Sequence, residues 1–262
     1  LIRVLLNLLE PTGGQVEVLG QSPTANPGLR SRLGYLPGEL RMGARLTGRE
    51  HLCYLAALRG GVALERIEGL AERFGLDLDK SFRGLSKGNK QKIGVVQAFM
   101  HDPDLLILDE PTSGLDPLLQ QEFLALVKES SERGATVFMS SHVLSEVEAV
   151  VGRVAIIREG EIVDVDEVVT LRREAGQHVT FEFEGAVDME AFAAVENFTQ
   201  ITSDGDALRS VLHGVLRGSP SELLRTAARF HVTGWSAKDR DLEELFMDFY
   251  RSPKKPEAPD AR

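Results

Sequence analysis

Apolar positions along this chain follow two different periods, and the changes of period mark its elements. Helical spacing over Gln91–Met100 leads into the continuous apolar run Leu105–Leu108, and helical spacing over Phe123–Arg133 leads into Thr136–Ser140. An unbroken short apolar run is typical of a strand buried on both faces, and helix-strand repetition is typical of a parallel sheet. The pattern therefore predicts an α/β fold. Nearer the start it predicts the helix Ile2–Leu9, the strands Gln15–Leu19 and Arg32–Leu36, and a long helical stretch at Glu50–Gly75.

After the last of these elements the pattern changes to short alternating strands. Val154–Ile157 and Glu161–Val163 flank Glu159-Gly160, a pair typical of a tight hairpin turn. A small α+β unit follows. Its predicted strands are Val179–Glu184, Val211–Leu216 and Val232–Trp235, and its predicted helices are Met189–Val195, Ser219–Arg229 and Leu242–Tyr250. We predict a core domain over residues 1–165 with a helical subdomain at about 40–90, an accessory domain over 166–251, and a disordered tail over 252–262.

Charge and cysteine content exclude several classes of function. The 262 residues include 30 Lys and Arg against 40 Asp and Glu, a formal net charge of −10 that repels phosphate backbones, so we expect no nucleic-acid partner. Cys53 is the only cysteine, which excludes an internal disulfide and a cysteine metal cage and fits a reducing cytosol. The longest apolar runs are far shorter than the roughly 20 residues of a membrane span.

Two adjacent carboxylates close the most apolar strand. Asp109 and Glu110 follow Leu105–Leu108, and parallel α/β sheets bind ligands at the carboxyl ends of their strands. Mg²⁺ prefers few protein carboxylates beside water and phosphate oxygens, so Asp109 is the candidate metal ligand. Glu110 suits a general base that activates the attacking water. The alternative is that both are ordinary solvated acids at a strand end.

The run Leu105–Pro117 resembles the Walker B and D-loop segment of ABC ATPases, and the upstream Leu85–Gln91 resembles the signature sequence of that family, Leu-Ser-Gly-Gly-Gln. The matching residues are Leu85, Ser86 and Gly88, and the departures are Lys87 and Asn89. A hydroxyl and bare N–H groups at a helix N-terminus attract anions. The resemblance implies that Ser86, Gly88 and Asn89 contact nucleotide. An ordinary serine cap is the alternative.

Further positions take their roles from the same resemblance. His142 stands where the family has its switch histidine, which contacts the γ-phosphate and holds the water-activating glutamate. Asp116 stands at the D-loop aspartate that communicates between protomers, and as an isolated residue it can equally cap a helix beginning near Pro117. Gly38 occupies the place of the Q-loop glutamine. The neighbouring Glu39 can supply an oxygen there, or the segment is a plain Pro-Gly turn.

The chain contains no Gly-x-x-x-x-Gly-Lys-Ser/Thr loop, the Walker A loop that holds phosphates in this family. In the family that loop stands immediately before a helix of the type Ile2–Leu9, followed by a turn and a strand as at Glu10–Leu19. The chain also starts without Met, inside an uncapped helical pattern. We expect a fragment that begins past the loop. By itself it should bind ATP poorly or not at all, because positioning and charge neutralisation dominate phosphoryl transfer.

The resemblance covers about Leu1–Val163 and implies an incomplete RecA-like P-loop NTPase core with a helical subdomain. It implies ATP and Mg²⁺ as cofactors, in a homodimer or heterodimer of ATPase subunits that drives a transmembrane permease from the cytoplasmic face of the cell membrane. The terminal unit, which ends in Asp241–Phe246, looks like the small C-terminal domain of multidrug or antibiotic exporter ATPases of the ABC-2 group.

A soluble, non-transport ABC ATPase is one alternative, and a degenerate, non-catalytic regulatory module is another. The chain has a single cassette, no long coiled-coil insertion and a net negative charge, which argue against a soluble ATPase acting on ribosomes or DNA. Asp109, Glu110 and His142 argue against a degenerate module, because an unused site need not keep all three residue types.

Overall fold

A computed structural model of the chain describes residues 1–43, 45–143, 148–206, 208–240 and 243–244. The chain divides into two compact units, Leu1–Glu146 and Val147–Arg262. Apart from Glu243 and Glu244, the predicted helix Leu242–Tyr250, the motif Asp241–Phe246 and the tail 252–262 lie outside the described residues. The predicted domain boundary after residue 165 stays a prediction. Within the described part of the chain, no helix is long and apolar enough to cross a membrane.

The N-terminal segment is less regular than its pattern predicts. Helix α1 (Ile2–Leu5) ends well short of the predicted end, and Asn7 has a left-handed backbone with a φ of 54°. The predicted strand Gln15–Leu19 does not form, and only an isolated bridge pairs Val18 with Gln21. A strand needs a partner along its length to satisfy its backbone N–H and C=O groups. No strand among the described residues forms a hydrogen-bonded ladder with this segment.

The first unit is built on a three-stranded parallel sheet, as the helix-strand repetition predicts. Its strands are β1 (Leu33–Leu36), β2 (Leu105–Asp109) and β3 (Thr136–Ser140), in the order β1-β2-β3. Residues 106 to 108 of the middle strand are fully buried, so both of its faces are covered. Because parallel strands end at the same sheet edge, β2 and β3 bring Asp109 and Ser140 side by side.

Two helices, α2 (Gly48–Leu58) and α3 (Leu64–Arg73), occupy the predicted helical stretch, and the first begins two residues before it. Helix α2 begins at a capping box, in which the Thr47 hydroxyl accepts from the Glu50 backbone N–H and the Glu50 carboxylate accepts from the Thr47 backbone N–H. Two consecutive glycines with positive φ, at positions 60 and 61, separate the helices. A single predicted helical stretch is therefore a helical pair.

Helices α4 (Lys87–Phe99) and α5 (Pro117–Glu132) precede β2 and β3 respectively. Phe99 and Phe123 are buried and meet edge to face, with ring centroids 6.0 Å apart and ring planes at 87°. Helix α4 also lies very close to β1, because a Cβ on Gly34 would be only 2.3 Å from the carbonyl oxygen of Ala98. This close approach fixes α4, and therefore its N-terminal turn, against the sheet.

The first two strands of the second unit form the predicted hairpin. Strands β4 (Arg153–Arg158) and β5 (Glu161–Glu167) pair antiparallel, and Glu159 and Gly160 have φ values of 54° and 85°. Positive φ at both central residues is the requirement of a type I′ turn, which matches the twist of the strands. Helix α6 (Val168–Ala175), which the sequence analysis does not predict, follows β5.

A four-stranded antiparallel sheet completes the second unit. Its strands are β6 (Gln177–Glu184), β7 (Phe198–Gly205), β8 (Arg209–Leu216) and β9 (Val232–Asp239), in the order β7-β8-β6-β9. Helices α7 (Met189–Ala193) and α8 (Ser221–Ala227) contribute Phe192 and Leu223 to the same apolar core as Phe181 and Phe183 of β6. Strand β7 is the edge element that the sequence pattern does not predict.

Candidate functional site

The carboxyl edge of the parallel sheet holds a compact group of polar side chains. Asp109 ends β2 and pairs in register with Ser140 at the end of β3. The Ser140 hydroxyl donates to Asp109 Oδ1 at 2.7 Å. The Glu110 backbone N–H lies 3.2 Å from both the carbonyl oxygen and the hydroxyl oxygen of Ser140. Strand pairing therefore continues for one residue past Asp109 and places Glu110 at the edge.

The structure brings Glu110 and His142 together. Glu110 has a left-handed backbone with a φ of 47°, which turns the chain sharply after the strand. Its Oε2 lies 2.5 Å from Nδ1 of His142. Because an ionised carboxylate only accepts hydrogen bonds, the imidazole donates in this pair. The side chains are 36% and 76% exposed respectively, so both groups remain open to a ligand from solution.

Gly38 and Glu39 have different relations to these carboxylates. A Cβ on Gly38 would lie 3.6 Å from Asp109 Oδ2, so this residue borders the carboxylate directly. The Glu39 carboxylate instead accepts a hydrogen bond from Arg41 Nη2 at 2.9 Å and is mostly exposed. That hydrogen bond and the charge of Arg41 lower the pKa of Glu39. The described contacts therefore tie Glu39 to Arg41 and leave Gly38 beside Asp109.

Tyr35 shares the environment of Asp109 from the neighbouring strand. Burial raises the pKa of the Tyr35 hydroxyl, and the negative charge of Asp109 raises it further, with a smaller opposing effect from Arg3. The phenol therefore stays neutral across the physiological range.

The first turn of α4 carries the predicted signature residues. Ser86 is the N-cap, and its hydroxyl accepts a hydrogen bond from the Asn89 backbone N–H at 3.3 Å. A Cβ on Gly88 would lie 2.7 Å from the carbonyl oxygen of Gly114, so only glycine allows these two backbones to approach so closely. Ser86 thus fills the structural role of a cap, and its hydroxyl oxygen and the helix N-terminus lie at the surface.

Asp116 also caps a helix in the structure. Its carboxylate accepts a hydrogen bond from the Leu119 backbone N–H at 3.1 Å, and Pro117 occupies the first helical position of α5. The residues before it contact α4, because Lys87 Nζ donates to the Ser113 hydroxyl at 2.9 Å. The signature turn and the segment leading to Asp116 are therefore packed against each other within one chain.

Sequence reasoning did not single out two side chains of this region, Ser140 and Gln91. Gln91 is 3% exposed, and its Nε2 donates to the carbonyl oxygen of Pro111 at 2.8 Å. Parallel pairing of β2 with β3 is the signal that would have found Ser140, because adjacent strand ends meet at one edge. Nothing local marks Gln91, since a glutamine in a helix is usually solvated.

The donor set at the edge suits Mg²⁺ bound together with a nucleotide. No cluster of three or more His, Cys, Asp or Glu side chains within the described ranges is arranged to hold a metal ion by itself. Mg²⁺ usually takes one or two carboxylates and completes its shell with water and phosphate oxygens. Asp109 supplies one carboxylate, with Oδ1 bonded to Ser140 and Oδ2 beside Gly38.

Comparisons with known proteins agree with this architecture. The family model described as ABC transporter matches residues 1–113. The bacitracin transport ATP-binding protein BcrA of Enterococcus faecalis is 35% identical over 252 residues, which cover 94% of this chain and 81% of that protein. The protein of the same name from Bacillus licheniformis is 37% identical over 185 residues, covering 69% of this chain and 60% of that protein.

Solved structures show the same fold. A structure described as the ATP-binding subunit of an ABC transporter is 31% identical, with a TM-score of 0.60 over 66% of this chain and 74% of that chain. The ATP-binding cassette MJ0796, solved as a dimer with ADP and phosphate, is 19% identical with a TM-score of 0.58 over 64% of this chain and 78% of that chain, and it supports the fold alone. The RecA-like α/β prediction is confirmed. With 35% identity across 94% of its length, the chain belongs to the ATP-binding subunits of ABC transporters, a family of ATPases.

Proposed function

We propose that this chain supplies the hydrolytic half of the ATP site in an exporter of the antibiotic or multidrug type. The observation that carries the proposal is the meeting of Asp109, Glu110 and His142 at one sheet edge, with Glu110 Oε2 and His142 Nδ1 2.5 Å apart. A carboxylate oriented by a second group at an open edge is the arrangement needed to take a proton from water. If Asp109 and Glu110 were ordinary solvated acids at a strand end, the close contact between Glu110 and His142 would not be needed.

In this proposal each residue of the edge has a separate task. Asp109 holds the Mg²⁺ of the nucleotide, and the ion, when bound, offsets negative charge on the phosphate oxygens. Glu110 accepts a proton from the water that attacks the γ-phosphate, so ATP and water give ADP and phosphate. His142 keeps the Glu110 carboxylate in place and contacts the γ-phosphate.

The remaining predicted residues serve a dimer. Ser86, Gly88 and Asn89, on the first turn of α4, contact nucleotide held mainly by a second ATPase subunit, as helix N-termini attract phosphate. Asp116 communicates between the two protomers. Glu39 is paired with Arg41 in this structure and would have to leave that partner to offer an oxygen beside the Mg²⁺ site. ATP closes the homodimer or heterodimer and hydrolysis opens it, and this motion drives a transmembrane permease at the inner face of the cell membrane.

We further propose that the chain by itself does not bind ATP strongly. Its sequence holds no Gly-x-x-x-x-Gly-Lys-Ser/Thr loop, and the N–H groups and lysine of that loop make most contacts with the phosphates. Export of an antibiotic as the cargo class is supported by the two bacitracin transport proteins that resemble the chain.

The test compares this chain with a version extended by the upstream coding sequence, measuring Mg-ATP binding and ATP turnover in each. The Glu110→Gln variant of the extended protein should bind ATP normally and lose turnover by about 10³-fold, because the base is removed while the phosphate contacts stay. Glu132→Gln, at an exposed position in α5, is the matched control and should keep full turnover.

Three results would count against the proposal. If neither version binds nucleotide, the ATPase assignment fails and the regulatory alternative replaces it. If the extended protein hydrolyses ATP at full rate with Glu110→Gln, the assignment of the general base is wrong. A host that expresses the extended protein with its permease should gain bacitracin resistance, and an ATPase that confers none and binds ribosomes instead would favour the soluble alternative.

A further inference from the structure

The Ser140 side chain contacts both carboxylate residues of the site, Asp109 and Glu110. Its hydroxyl donates to Asp109 Oδ1 at 2.7 Å, and the same oxygen lies 3.2 Å from the Glu110 backbone N–H. A serine hydroxyl has one proton and two lone pairs. With the proton directed to Asp109, a lone pair faces Glu110. One side chain thus contacts the candidate metal ligand and the backbone of the candidate base.

The hydrogen bond to Oδ1 fixes which oxygen of Asp109 is available. Rotation about the last side-chain bond of an aspartate is broad and nearly two-fold, so an unrestrained carboxylate presents either oxygen. The bond from Ser140 engages Oδ1 and leaves Oδ2 on the side of Gly38, whose Cβ position would be 3.6 Å away. Because Gly38 has no side chain, it places none against Oδ2.

The contact with Glu110 acts on the backbone. A non-glycine residue with a φ of 47° costs of order 1 kcal/mol or more and persists only where its surroundings hold it. The Glu110 N–H is held by both the carbonyl and the hydroxyl oxygen of Ser140. This restraint directs the Glu110 side chain toward His142, where the carboxylate and imidazole meet at 2.5 Å.

We propose that Ser140 is a positioning residue for ATP hydrolysis, one that orients Asp109 Oδ2 toward the cation and holds the Glu110 turn in its reactive conformation. The inference rests on the proposed function. A merely structural serine at a strand end would contribute to stability alone, whereas a positioning serine also sets the affinity for the divalent cation and the turnover rate.

The experiment uses the N-terminally extended protein with its permease and measures two quantities. The first is the affinity for Mn²⁺ in the presence of ATP, followed by electron paramagnetic resonance in a Glu110→Gln background so that nucleotide is not consumed. The second is the Mg²⁺-dependent turnover of the otherwise unaltered protein. Ser140→Ala should weaken Mn²⁺ binding about 10-fold, as loss of partners behind metal ligands commonly does, and should lower kcat more than it changes KM.

Two further variants separate positioning from stability. Ser140→Thr keeps the hydroxyl on a residue that suits strands, so it should restore Mn²⁺ affinity to within about threefold of the parent. Ser130→Ala is the matched control, because the Ser130 hydroxyl also has two partners: it donates to Leu126 and accepts from Arg133. Ser130 is buried in α5, whereas Ser140 is half-buried. It should lower the melting temperature without changing Mn²⁺ affinity or kcat.

The outcomes decide whether Ser140 positions the site or only stabilises the fold. If the parent binds Mn²⁺ with ATP and turns over, while Ser140→Ala equals it in both measurements, the inference fails and the proposed function stands. If Ser140→Ala and Ser140→Thr lose Mn²⁺ affinity and turnover equally, the inference is also overturned. A parent that binds no metal-nucleotide overturns both. If Ser140→Ala does not fold, Ser140→Cys keeps the shape with a much weaker donor, and unchanged Mn²⁺ affinity in that variant would refute the role.

Discussion

The buried amide of Gln91 offers a sharp test of how α4 is joined to the segment after β2. Its Nε2 donates to the Pro111 carbonyl oxygen at 2.8 Å and lies 3.4 Å from the Glu110 carbonyl oxygen. Gln91→Glu is an almost isosteric change. It replaces the amide that donates to these two carbonyl oxygens with a carboxylate, which only accepts hydrogen bonds when it is ionised. The anion is both desolvated and repelled by the carbonyl dipoles, so its folded-state pKa should rise above the unfolded value of about 4.3.

The size of the effect follows from the surroundings. Full burial raises a carboxyl pKa by up to about 3–5 pH units. Gln91 lines a cavity of about 740 Å³ together with Lys87 and Lys90. The positive charges of these two lysines offset part of the rise in the pKa. A rise of about 2 units, at about 1.36 kcal/mol per unit, gives a loss of about 3 kcal/mol in the free energy of unfolding at pH 8. Loss of a neutral hydrogen bond alone would cost only about 1 kcal/mol.

The sign of the pH dependence is set by the raised pKa. Below about pH 4.3 the carboxyl is protonated in both states, and its O–H can donate to Pro111, so the variant is close to the parent. As the pH rises toward the folded-state value of about 6.3, the unfolded state releases its proton first and stability falls. We expect a loss of about 1 kcal/mol at pH 5 and about 3 kcal/mol at pH 8.

Urea denaturation of the parent and variant at pH 5 and pH 8, followed by far-ultraviolet circular dichroism, measures this difference. Gln121→Glu makes the same chemical change at an exposed position of α5 and should alter stability by less than about 0.5 kcal/mol at either pH. A loss below about 1 kcal/mol at pH 8, or one that does not shrink toward pH 5, would refute the reasoning.

Three other changes test the packing and electrostatics of the first unit. Phe123→Ala removes a fully buried ring and should lower the free energy of unfolding by about 3–5 kcal/mol in urea denaturation, while Leu118→Ala, 78% exposed, should have almost no effect. Gly34→Ala places a Cβ 2.3 Å from the Ala98 carbonyl oxygen, so we expect a loss of about 3 kcal/mol and a visibly lower melting temperature. Burial, and then the charge of a nearby arginine, lower the pKa of His101, so protonation favours the unfolded state and stability should fall as the pH drops below about 6.5. His101→Gln should flatten that part of the acid dependence of the urea midpoint, and an unchanged slope would contradict the assignment.

The sequence pattern is sufficient to predict an element whose side chains are buried on both faces, such as strand β2. The short apolar run Leu105–Leu108 between turn signals favours a strand covered on both faces. Asp109 and Glu110 are then at the edge where parallel sheets bind ligands. Strand β7 was missed because its register shifts between Thr199 and Thr202 and Gln200 has a φ of 54°, which breaks the alternation of apolar and polar residues.

Elements and contacts that depend on a distant partner were not predictable in the same way. Gln15–Leu19 alternates like a strand, yet the described structure gives it only the bridge at Val18, since alternation does not supply a neighbour. The hydrogen bond from Ser140 to Asp109 depends on the register of β2 with β3, which joins residues far apart in sequence. The local pattern of apolar residues predicts which face of a strand is buried. The pairing register between two strands depends on the assembled sheet.

The left-handed backbone of Glu110 sets the chemistry proposed for this residue against the stability of the fold. Glycine adopts a φ of 47° without strain, and asparagine does so more readily than glutamate, so either replacement should make the fold more stable. If Glu110 is the general base as proposed, glycine or asparagine at this position would stabilise the fold and abolish turnover together. Under the proposed function, the Glu110 position therefore carries a cost in fold stability that only ATP hydrolysis requires.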